Sequence, residues 1–349
     1  MLRRLRQFFA VAIPTVLVLV LAVVLLCYLN RWDELVVITL IPMWAWASVG
    51  MLVSIIAWPT LKSQFSLFTF ALWLIAGVAL SDETAGLLRE FRAAVAGGNT
   101  PAEGATEQPA PERLRIVTLN CGEGNEDATS ELKKLEPDIV LLQEAPERPF
   151  LIDLTSELFG ADGTFIRSEQ CAILARGRLG DSFTEAETGS LVASLERPNG
   201  EQIDIVNIDL PRATPRFDIW NADCWQELIA RRKANRRTLR KLLGTLPDRA
   251  GPEIQIVGGS FGAPPSDDLF RLLRSSQLVD SFRQSGFGWG NTFPGSVPVL
   301  RVDQIWTTYP FEPDRSETFS NAASDHRYVV SDFRRAIPAG KLVLAKVSK

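Results

Sequence analysis

The feature that most constrains this chain is a long uncharged run near its start, "FFAVAIPTVLVLVLAVVLLCYL", residues 8–29. A helix of roughly 20 apolar residues crosses a hydrocarbon core of about 30 Å. The run exceeds the apolar region of a cleaved secretory signal, about 7–15 residues, and no small-x-small cleavage site follows it. The sequence therefore predicts an uncleaved membrane anchor.

Two further apolar runs extend this anchor. Residues 35–58 are equally uncharged and rich in Trp, and residues 65–80 read "FSLFTFALWLIAGVAL". The last run is short and needs its polar flanks to reach across a bilayer. Residues 1–80 are thus predicted to be an all-α membrane region with about three transmembrane helices.

The charges flanking these runs predict an orientation. Arg3, Arg4 and Arg6 precede the first run, and Lys62 lies between the second and third. Basic residues stay on the cytoplasmic side of short loops. Three crossings then place the N-terminus in the cytoplasm and the C-terminal domain on the outer face of a multi-pass protein.

Composition changes sharply after the apolar region. Residues 81–111 are rich in Gly, Ala, Pro, Glu and Thr, which predicts a flexible linker unable to bury a core. Residues 112–338 are long enough for one domain, and residues 339–349 form a tail. The net charge of −4 and the pI near 5.4 lack the basic footprint of nucleic-acid binders. Nucleic acid is therefore disfavoured as a partner, whereas a lipid bilayer is expected.

In the domain, strand-like and helix-like patterns alternate, which indicates layered α/β packing. Three apolar strand patterns end in a polar residue: Asn120, Glu144 and Asp209. Sites in α/β sheets gather at strand ends. Cys121, Cys171 and Cys224 show no C-x-x-C pairing, so both a disulfide and buried free thiols remain open.

The order of motifs resembles the endonuclease/exonuclease/phosphatase superfamily, which includes deoxyribonucleases, abasic-site endonucleases, sphingomyelinases and inositol-polyphosphate 5-phosphatases. The matching stretches are "RIVTLNCGEGN", "LEPDIVLLQEAPE", "VNIDLPRATPR", "IVGGSFGAPPSDDLFRLL", "GNTFPGSVPVLRVDQIW" and "ASDHRYVV". The resemblance covers nearly all of residues 113–335. It implies a four-layer α/β sandwich of two packed mixed sheets flanked by helices.

The resemblance also implies a metal site. Glu144 matches the position of the family's principal Mg²⁺ ligand, Asn120 resembles its second metal-site residue, and Asp325 a further acid. Mg²⁺ needs only one or two carboxylates, with water and phosphate oxygens completing its shell. A Mg²⁺ or Mn²⁺ ion at these three residues is therefore expected, although Glu144 alone is also compatible with a solvated strand-end acid.

The only histidine, His326, falls in the motif "SDH". In the family this histidine contacts the scissile phosphate or assists proton transfer, and an aspartate at the position of Asp303 orients it. A carboxylate on the other ring nitrogen fixes the tautomer and raises the basicity of imidazole. The resemblance implies that both residues are catalytic.

Three positions depart from the family pattern. Where the family has G-D-F-N-A-P-P, this chain has "GSFGAPP", so Ser260 replaces the catalytic aspartate and Gly262 the asparagine. Asp209 replaces the histidine of the N-x-H-L stretch. A serine hydroxyl is a very weak base, and losing a general base typically costs about 10²–10⁴ in rate.

Two interpretations fit these departures. In one, the chain is a membrane-tethered, divalent-metal-dependent phosphoester hydrolase with weakened or altered activity, in which Asp209 supplies the missing carboxylate. Its substrate would be a phosphate ester, with a phospholipid as the preferred class. In the other, the chain is a catalytically inactive pseudoenzyme that serves as a binding module at the membrane. Ser260 and Gly262 also predict weakened metal binding.

Two other features are open. Residues 230–241, "ARRKANRRTLRK", predict the solvated face of an amphipathic helix, or else a contact with anionic lipid headgroups. Trp289, in a glycine-rich loop, could line a substrate cleft or simply pack.

Overall fold

The structure is a computed structural model that describes residues 2–61, 64–96, 112–212, 221–246 and 254–336. Five helices precede the sheets: α1 (Leu2–Asn30), α2 (Val36–Leu40), α3 (Met43–Leu61), α4 (Gln64–Leu80) and α5 (Asp82–Val95). The predicted tail at residues 339–349 lies outside the described residues.

The helix α1 is long and apolar enough to cross a membrane, as the first uncharged run predicted. By length and composition, the described residues contain one such helix, or up to three if each of two bent pairs counts as one span. One pair, Asp33–Leu40 with Met43–Pro59, is bent by 68°, and the other, Gln64–Leu80 with Asp82–Val95, by 82°. Several crossings therefore stay a prediction.

The continuous helix predicted over residues 35–58 is wrong, because the chain breaks between α2 and α3. Ile41 has extended backbone angles, φ −74° and ψ 123°. Pro42 follows it, and proline disfavours the helical conformation of the preceding residue. Hydropathy alone did not reveal this break.

The flexible linker predicted over residues 81–111 is also wrong in its first half, where α5 lies. Ser81 caps this helix by accepting a hydrogen bond from the Thr84 backbone N–H at 3.2 Å, and Asp82 and Glu83 occupy the first turn. These are favourable N-terminal signals. The composition of the whole segment concealed them, and residues 97–111 lie outside the described residues.

The remaining chain forms the predicted sandwich of two mixed six-stranded sheets. The first has the order β11-β12-β1-β2-β4-β3 and the second β5-β6-β7-β8-β10-β9. The strands are β1 (Arg113–Asn120), β2 (Ile139–Gln143), β3 (Gly163–Arg167), β4 (Cys171–Arg176), β5 (Arg178–Thr184), β6 (Leu191–Glu196), β7 (Gln202–Asp209), β8 (Gln255–Ser260), β9 (Val279–Asp280), β10 (Asp303–Thr307), β11 (Phe311–Phe319) and β12 (Tyr328–Arg335). This confirms the predicted fold class.

Apolar side chains on the inner faces of both sheets form one core, which includes Ile116, Leu141, Ile205 and Ile256. Their neighbours along the strands, such as Val140 and Val257, pack outward against helices. Because both faces are covered, the central strands read as unbroken apolar runs. The helices are α6 (Leu132–Leu135), α7 (Arg148–Phe159), α8 (Ala222–Gly244), α9 (Phe270–Ser275) and α10 (Ser281–Ser285).

The N-terminal helices contact the second sheet's side of the sandwich through polar groups. Asp33 pairs with Arg236 of α8 at 2.6 Å, and the Thr39 carbonyl accepts a hydrogen bond from Ser266 at 2.6 Å. Asp82 pairs with the fully buried Arg301 at 2.8 Å. The N-terminal helices and the domain therefore share an interface of ion pairs and hydrogen bonds.

Candidate active site

The candidate site is a cavity of about 710 Å³ at one edge of the sandwich. Asn120 and Glu144 reach it from the ends of β1 and β2, and Asp209 and Ser260 from the ends of β7 and β8. Each of these strand pairs is parallel, so the carboxyl ends lie at the same edge. The fold thus brings four of the predicted positions together.

A buried amide pair joins the two halves of the site. Gln143 donates from Nε2 to Oδ1 of Asn207 at 2.7 Å, and Asn207 donates from Nδ2 to the Leu142 and Ala172 carbonyls, both at 2.8 Å. Buried amides without partners are costly, so this satisfied network favours one register between the sheets. Sequence reasoning missed it, although each amide is a polar residue within an apolar strand.

Two hydrogen bonds hold the Glu144 carboxylate in place. Asn120 donates from Nδ2 to its Oε1 at 3.0 Å, and the Glu123 backbone N–H donates to its Oε2 at 2.6 Å. Its φ of 46° lies in the left-handed region, which costs a non-glycine residue of order 1–3 kcal/mol. Asn120 uses its Oδ1 to accept from the Gly122 N–H at 2.9 Å. In this arrangement Asn120 orients the carboxylate.

His326 and Asp303 form the buried pair that the sequence suggested. His326 Nδ1 lies 2.7 Å from Asp303 Oδ2, and each side chain is 1% exposed. Burial alone lowers the pKa of His326, but the charge and hydrogen bond of Asp303 outweigh burial and raise it above its usual value. Ser324 connects this pair to Asn120, since it donates to the Asn120 carbonyl at 2.8 Å and accepts from the His326 N–H at 3.0 Å.

Ser260 lies between two aspartates on neighbouring strands. Asp209 of β7 and Asp303 of β10 are both in register with it, on opposite sides. Burial is the main cause that raises the pKa of Asp209 to about 7, followed by the charges of Glu144 and Asp303. The cavity therefore has a carboxylate beside the position where the family carries one.

Arg212 also reaches this cavity, and the sequence reasoning did not single it out. Its guanidinium lies over the Phe293 ring, 3.7 Å from the centroid, and its Nη2 is 3.6 Å from Asp325 Oδ2. Its Nη1 is buried without a hydrogen-bond partner among the described residues. The only available signal was an arginine three residues beyond Asp209 at the strand end.

Gly262 makes room for this arginine's backbone. Its φ is +62°, and a Cβ placed there would lie 2.6 Å from the Leu210 carbonyl oxygen, 2.9 Å from that of Pro211 and 3.0 Å from the Arg212 nitrogen. Real Cβ atoms do not approach backbone so closely. The absence of the family's asparagine is therefore coupled to the path of residues 210–212.

Two of the three predicted metal ligands are in contact with each other, and the third pairs with an arginine. Asn120 and Glu144 are in contact, whereas Asp325 pairs with Arg212 and its side chain is 56% exposed. The described residues contain no group of three or more His, Cys, Asp or Glu side chains arranged to hold a metal ion. One oriented carboxylate still fits Mg²⁺, which takes most of its remaining ligands from water and phosphate.

The structure answers two questions that the sequence left open, the role of Trp289 and the state of the cysteines. Trp289 does not line the cavity; its Nε1 donates to the Pro298 carbonyl at 2.7 Å, and its ring packs against Trp44 of α3 at 5.2 Å between centroids. All four cysteines are buried free thiols, so no disulfide forms.

Comparison with known proteins agrees with this fold. Residues 117–326 match the endonuclease/exonuclease/phosphatase family, and the chain belongs to that family. A family member from Bacteroides vulgatus is similar in structure at 16% identity, with a TM-score of 0.50 over 64% of this chain and 99% of that one. A comparison with curated proteins finds no significant match.

Two other solved structures are similar at lower scores. One is a family member from Beutenbergia cavernae, with 16% identity and a TM-score of 0.47 over 64% of this chain and 72% of that one. The other is a humanized D. rerio TDP2, with 18% identity and a TM-score of 0.47 over 64% and 99%. Members of the family generally use divalent metal ions.

Proposed function

We propose that this chain is a membrane-tethered phosphoester hydrolase whose second sheet carries a rearranged set of catalytic residues. The observation that carries the proposal is the position of Asp209, in register with Ser260 and lining the same cavity as Glu144. A carboxylate next to the substituted position can accept a proton from water, which a serine hydroxyl does very poorly.

The first sheet would supply the cation site. Glu144 would hold Mg²⁺ or Mn²⁺, with Asn120 orienting the carboxylate and Asp325 as a further ligand within reach of the site. A divalent ion there would neutralise charge on the phosphate. Binding should be weaker than in a complete family member, because Ser260 and Gly262 offer fewer donors than aspartate and asparagine.

The second sheet and the loops would act on the ester. Arg212, which lines the cavity, would bind a phosphate oxygen through its guanidinium and so replace the cation lost when Asp209 took the histidine's position. Asp209 would accept the proton of the attacking water. His326, whose Nδ1 is engaged by Asp303, would use Nε2 to bond the phosphate or the leaving group.

The charge around the cavity narrows the substrate class. Its walls carry two cations, Arg167 and Arg212, and a larger set of acids: Glu123, Glu144, Glu147, Glu169, Glu187 and Asp209. Such a rim repels a polyanion and tolerates an isolated phosphate. A phospholipid or another small envelope phosphodiester is therefore the preferred substrate, and nucleic acid is disfavoured.

We further propose that α3 and α4 cross the bilayer beside α1, with the N-terminus in the cytoplasm and the domain outside. Support comes from a cluster in which Val24 of α1, Met43 of α3 and Trp73 of α4 pack together. A reporter enzyme fused after residue 110 tests the orientation. Activity of a reporter that works only in the cytoplasm would overturn it.

The competing function is a binding module without turnover. It is favoured by Ser260 and by the lack of a three-acid metal group among the described residues. The full chain in detergent, assayed with bis(p-nitrophenyl) phosphate and p-nitrophenyl phosphate with and without Mg²⁺ or Mn²⁺, separates the two. Turnover that requires metal and disappears in Asp209→Asn supports the hydrolase; binding of phosphate without turnover supports the module.

A further inference from the structure

A second cavity, of about 320 Å³, is basic, in contrast to the mostly acidic wall of the first. Its five basic lining residues are Lys233, Arg236, Arg237 and Arg240 from α8 and Arg271 from α9. Asp268 is the only carboxylate that lines it. The solvated face expected from the sequence thus encloses a pocket with a strong excess of positive charge.

Its charges are only partly balanced. Arg236 and Arg271 both pair with Asp268, at 2.8 and 3.1 Å. Lys233, Arg237 and Arg240 are exposed, and no ion pair to a described carboxylate forms at any of them. Their spacing of three and four residues places them on one side of α8, where like charges repel each other. An anion in the cavity would relieve that repulsion.

The cavity adjoins the end of the candidate membrane helix. Arg271 donates from Nη2 to the Leu29 carbonyl near the end of α1 at 2.6 Å, and Arg236 pairs with Asp33 just beyond it. Trp32, between these contacts, is 44% exposed, and tryptophan is enriched at membrane interfaces. If α1 crosses a bilayer, the basic cavity faces the headgroups of the leaflet where α1 ends.

We propose that this cavity binds the phosphate of an anionic phospholipid headgroup and so docks the domain against the membrane. Guanidinium groups match phosphate geometry, and basic clusters beside a membrane helix attract anionic lipids. The inference rests on α1 lying in a membrane. It does not rest on hydrolysis at the larger cavity, so the two can fail separately.

The test uses the full chain in a neutral detergent, with phosphatidylglycerol or phosphatidylcholine added and bound lipid counted by native mass spectrometry. The variant is Lys233→Gln with Arg237→Gln and Arg240→Gln. The control removes three exposed cations elsewhere, with Lys133→Gln, Lys134→Gln and Arg178→Gln. Thermal unfolding of both variants checks their folding, and Arg240→Gln alone replaces the triple variant if that is unstable.

Phosphatidylglycerol should bind the parent in preference to phosphatidylcholine, more weakly at high salt. The triple variant should lose about a hundredfold in affinity at low salt, from about fivefold per cation, and Arg240→Gln alone about fivefold. The control should lose less than twofold. Equal binding of both lipids, equal binding by variant and parent, or displacement of the lipid by micromolar inorganic phosphate would each overturn the proposal; the last would indicate a free-anion site.

Discussion

The two halves of the large cavity differ in how closely they follow the family pattern. The half built by β1 and β2 keeps Asn120 and Glu144, and the carboxylate is already oriented by two hydrogen bonds. The half built by β7 and β8 has replaced all three of its expected residues, at 209, 260 and 262. The β1/β2 half therefore keeps the residues of the family pattern, whereas the β7/β8 half, the rebuilt half, carries different ones.

The replaced positions of the second half lie next to one another. Gly262 admits the backbone of residues 210–212, which carries Arg212 to the Phe293 ring beside His326. Asp209 is in register with Ser260. A carboxylate, Asp209, and a cation, Arg212, thus line the cavity in which the family's aspartate and histidine are missing. We therefore interpret the second half as a coupled rearrangement.

The largest effect is expected from the half that keeps the pattern. Glu144→Gln should lower metal-dependent hydrolysis by about 10³ or more, since losing the cation removes several kcal/mol of charge stabilisation. It should also remove the rise in melting temperature that Mg²⁺ or Mn²⁺ gives the parent. Glu169→Gln, in the same cavity wall, serves as the control and should change little. An unchanged metal response in Glu144→Gln would contradict the assignment of the cation site.

The next test addresses the base in the rebuilt half. Asp209→Asn should lower the rate by about 10² or more, toward the lower end for a lost general base. Ser260→Ala is the matched control, because it removes the hydroxyl at the position in register and should cost less than about threefold on the same grounds. Rates are measured on the full chain with one phosphodiester. The reverse pattern, with Ser260 essential and Asp209 dispensable, would contradict the assignment of Asp209 as the base.

Arg212 should matter for binding rather than for proton transfer. Arg212→Gln should raise KM about 10–100-fold, since hydrogen bonds to charged groups contribute about 1.5–3 kcal/mol. Arg212→Lys keeps the charge but loses the planar contact with Phe293, so it should recover only part of the loss. Arg167→Gln, the other cation of the cavity, is the control. Equal KM values in Arg212→Gln and the parent would show that Arg212 does not bind the substrate.

Restoring the family's residue at 262 should fail for a structural reason. Gly262→Ala should destabilise the chain by about 2–4 kcal/mol, combining overpacking with left-handed backbone strain. Gly200 offers a control, because its φ is +82° and nothing lies within 4 Å of an added Cβ. Gly200→Ala should therefore cost only about 1–2 kcal/mol, from backbone strain alone. Equal losses in melting temperature would mean that residues 210–212 yield easily, and Gly262→Asn could then be accommodated.

The alternation of strand and helix patterns predicted the α/β class, and the resemblance to the family implied the two packed sheets. The strand ends bearing Asn120, Glu144 and Asp209 converge because β1/β2 and β7/β8 are parallel pairs. The pairing of His326 with Asp303 was also predictable from the family resemblance. The convergence of the strand ends needs only the order of elements and the rule that sites gather at strand ends, whereas the histidine–aspartate pair needed the resemblance.

The missed features depend on contacts between distant residues. The backbone leading to Arg212 passes so close to residue 262 that only glycine fits there, and no local pattern reports this approach. The pair Gln143 and Asn207 looks like two stray polar residues until the sheets pack. Likewise α5 was hidden because its caps are local, whereas the composition was averaged over residues 81–111.

The smallest effect is expected at a turn that supports the rebuilt half. Glu185 accepts hydrogen bonds at 2.9 Å from the backbone N–H groups of Glu187 and Thr188, which line the cavity, and it pairs with Lys241 at 2.9 Å. Burial on its own raises the pKa of Glu185, but these hydrogen bonds and the lysine outweigh it and lower the pKa below its usual value. The charged form is therefore favoured in the folded chain.

A lowered carboxyl pKa stabilises the fold above the unfolded-state pKa of about 4.3, and this contribution is lost as the pH falls through the folded-state value. Glu185→Gln should thus destabilise the chain by about 1 kcal/mol at pH 7, consistent with the loss of charged hydrogen bonds. The difference in melting temperature between parent and variant should shrink below about pH 4. Glu157→Gln, which removes a largely exposed ion pair with Lys133, should show almost no difference at either pH. A Glu185→Gln deficit that stays constant down to pH 3 would mean that the carboxylate's charge does not hold this turn, and that the rebuilt half owes its geometry to packing alone.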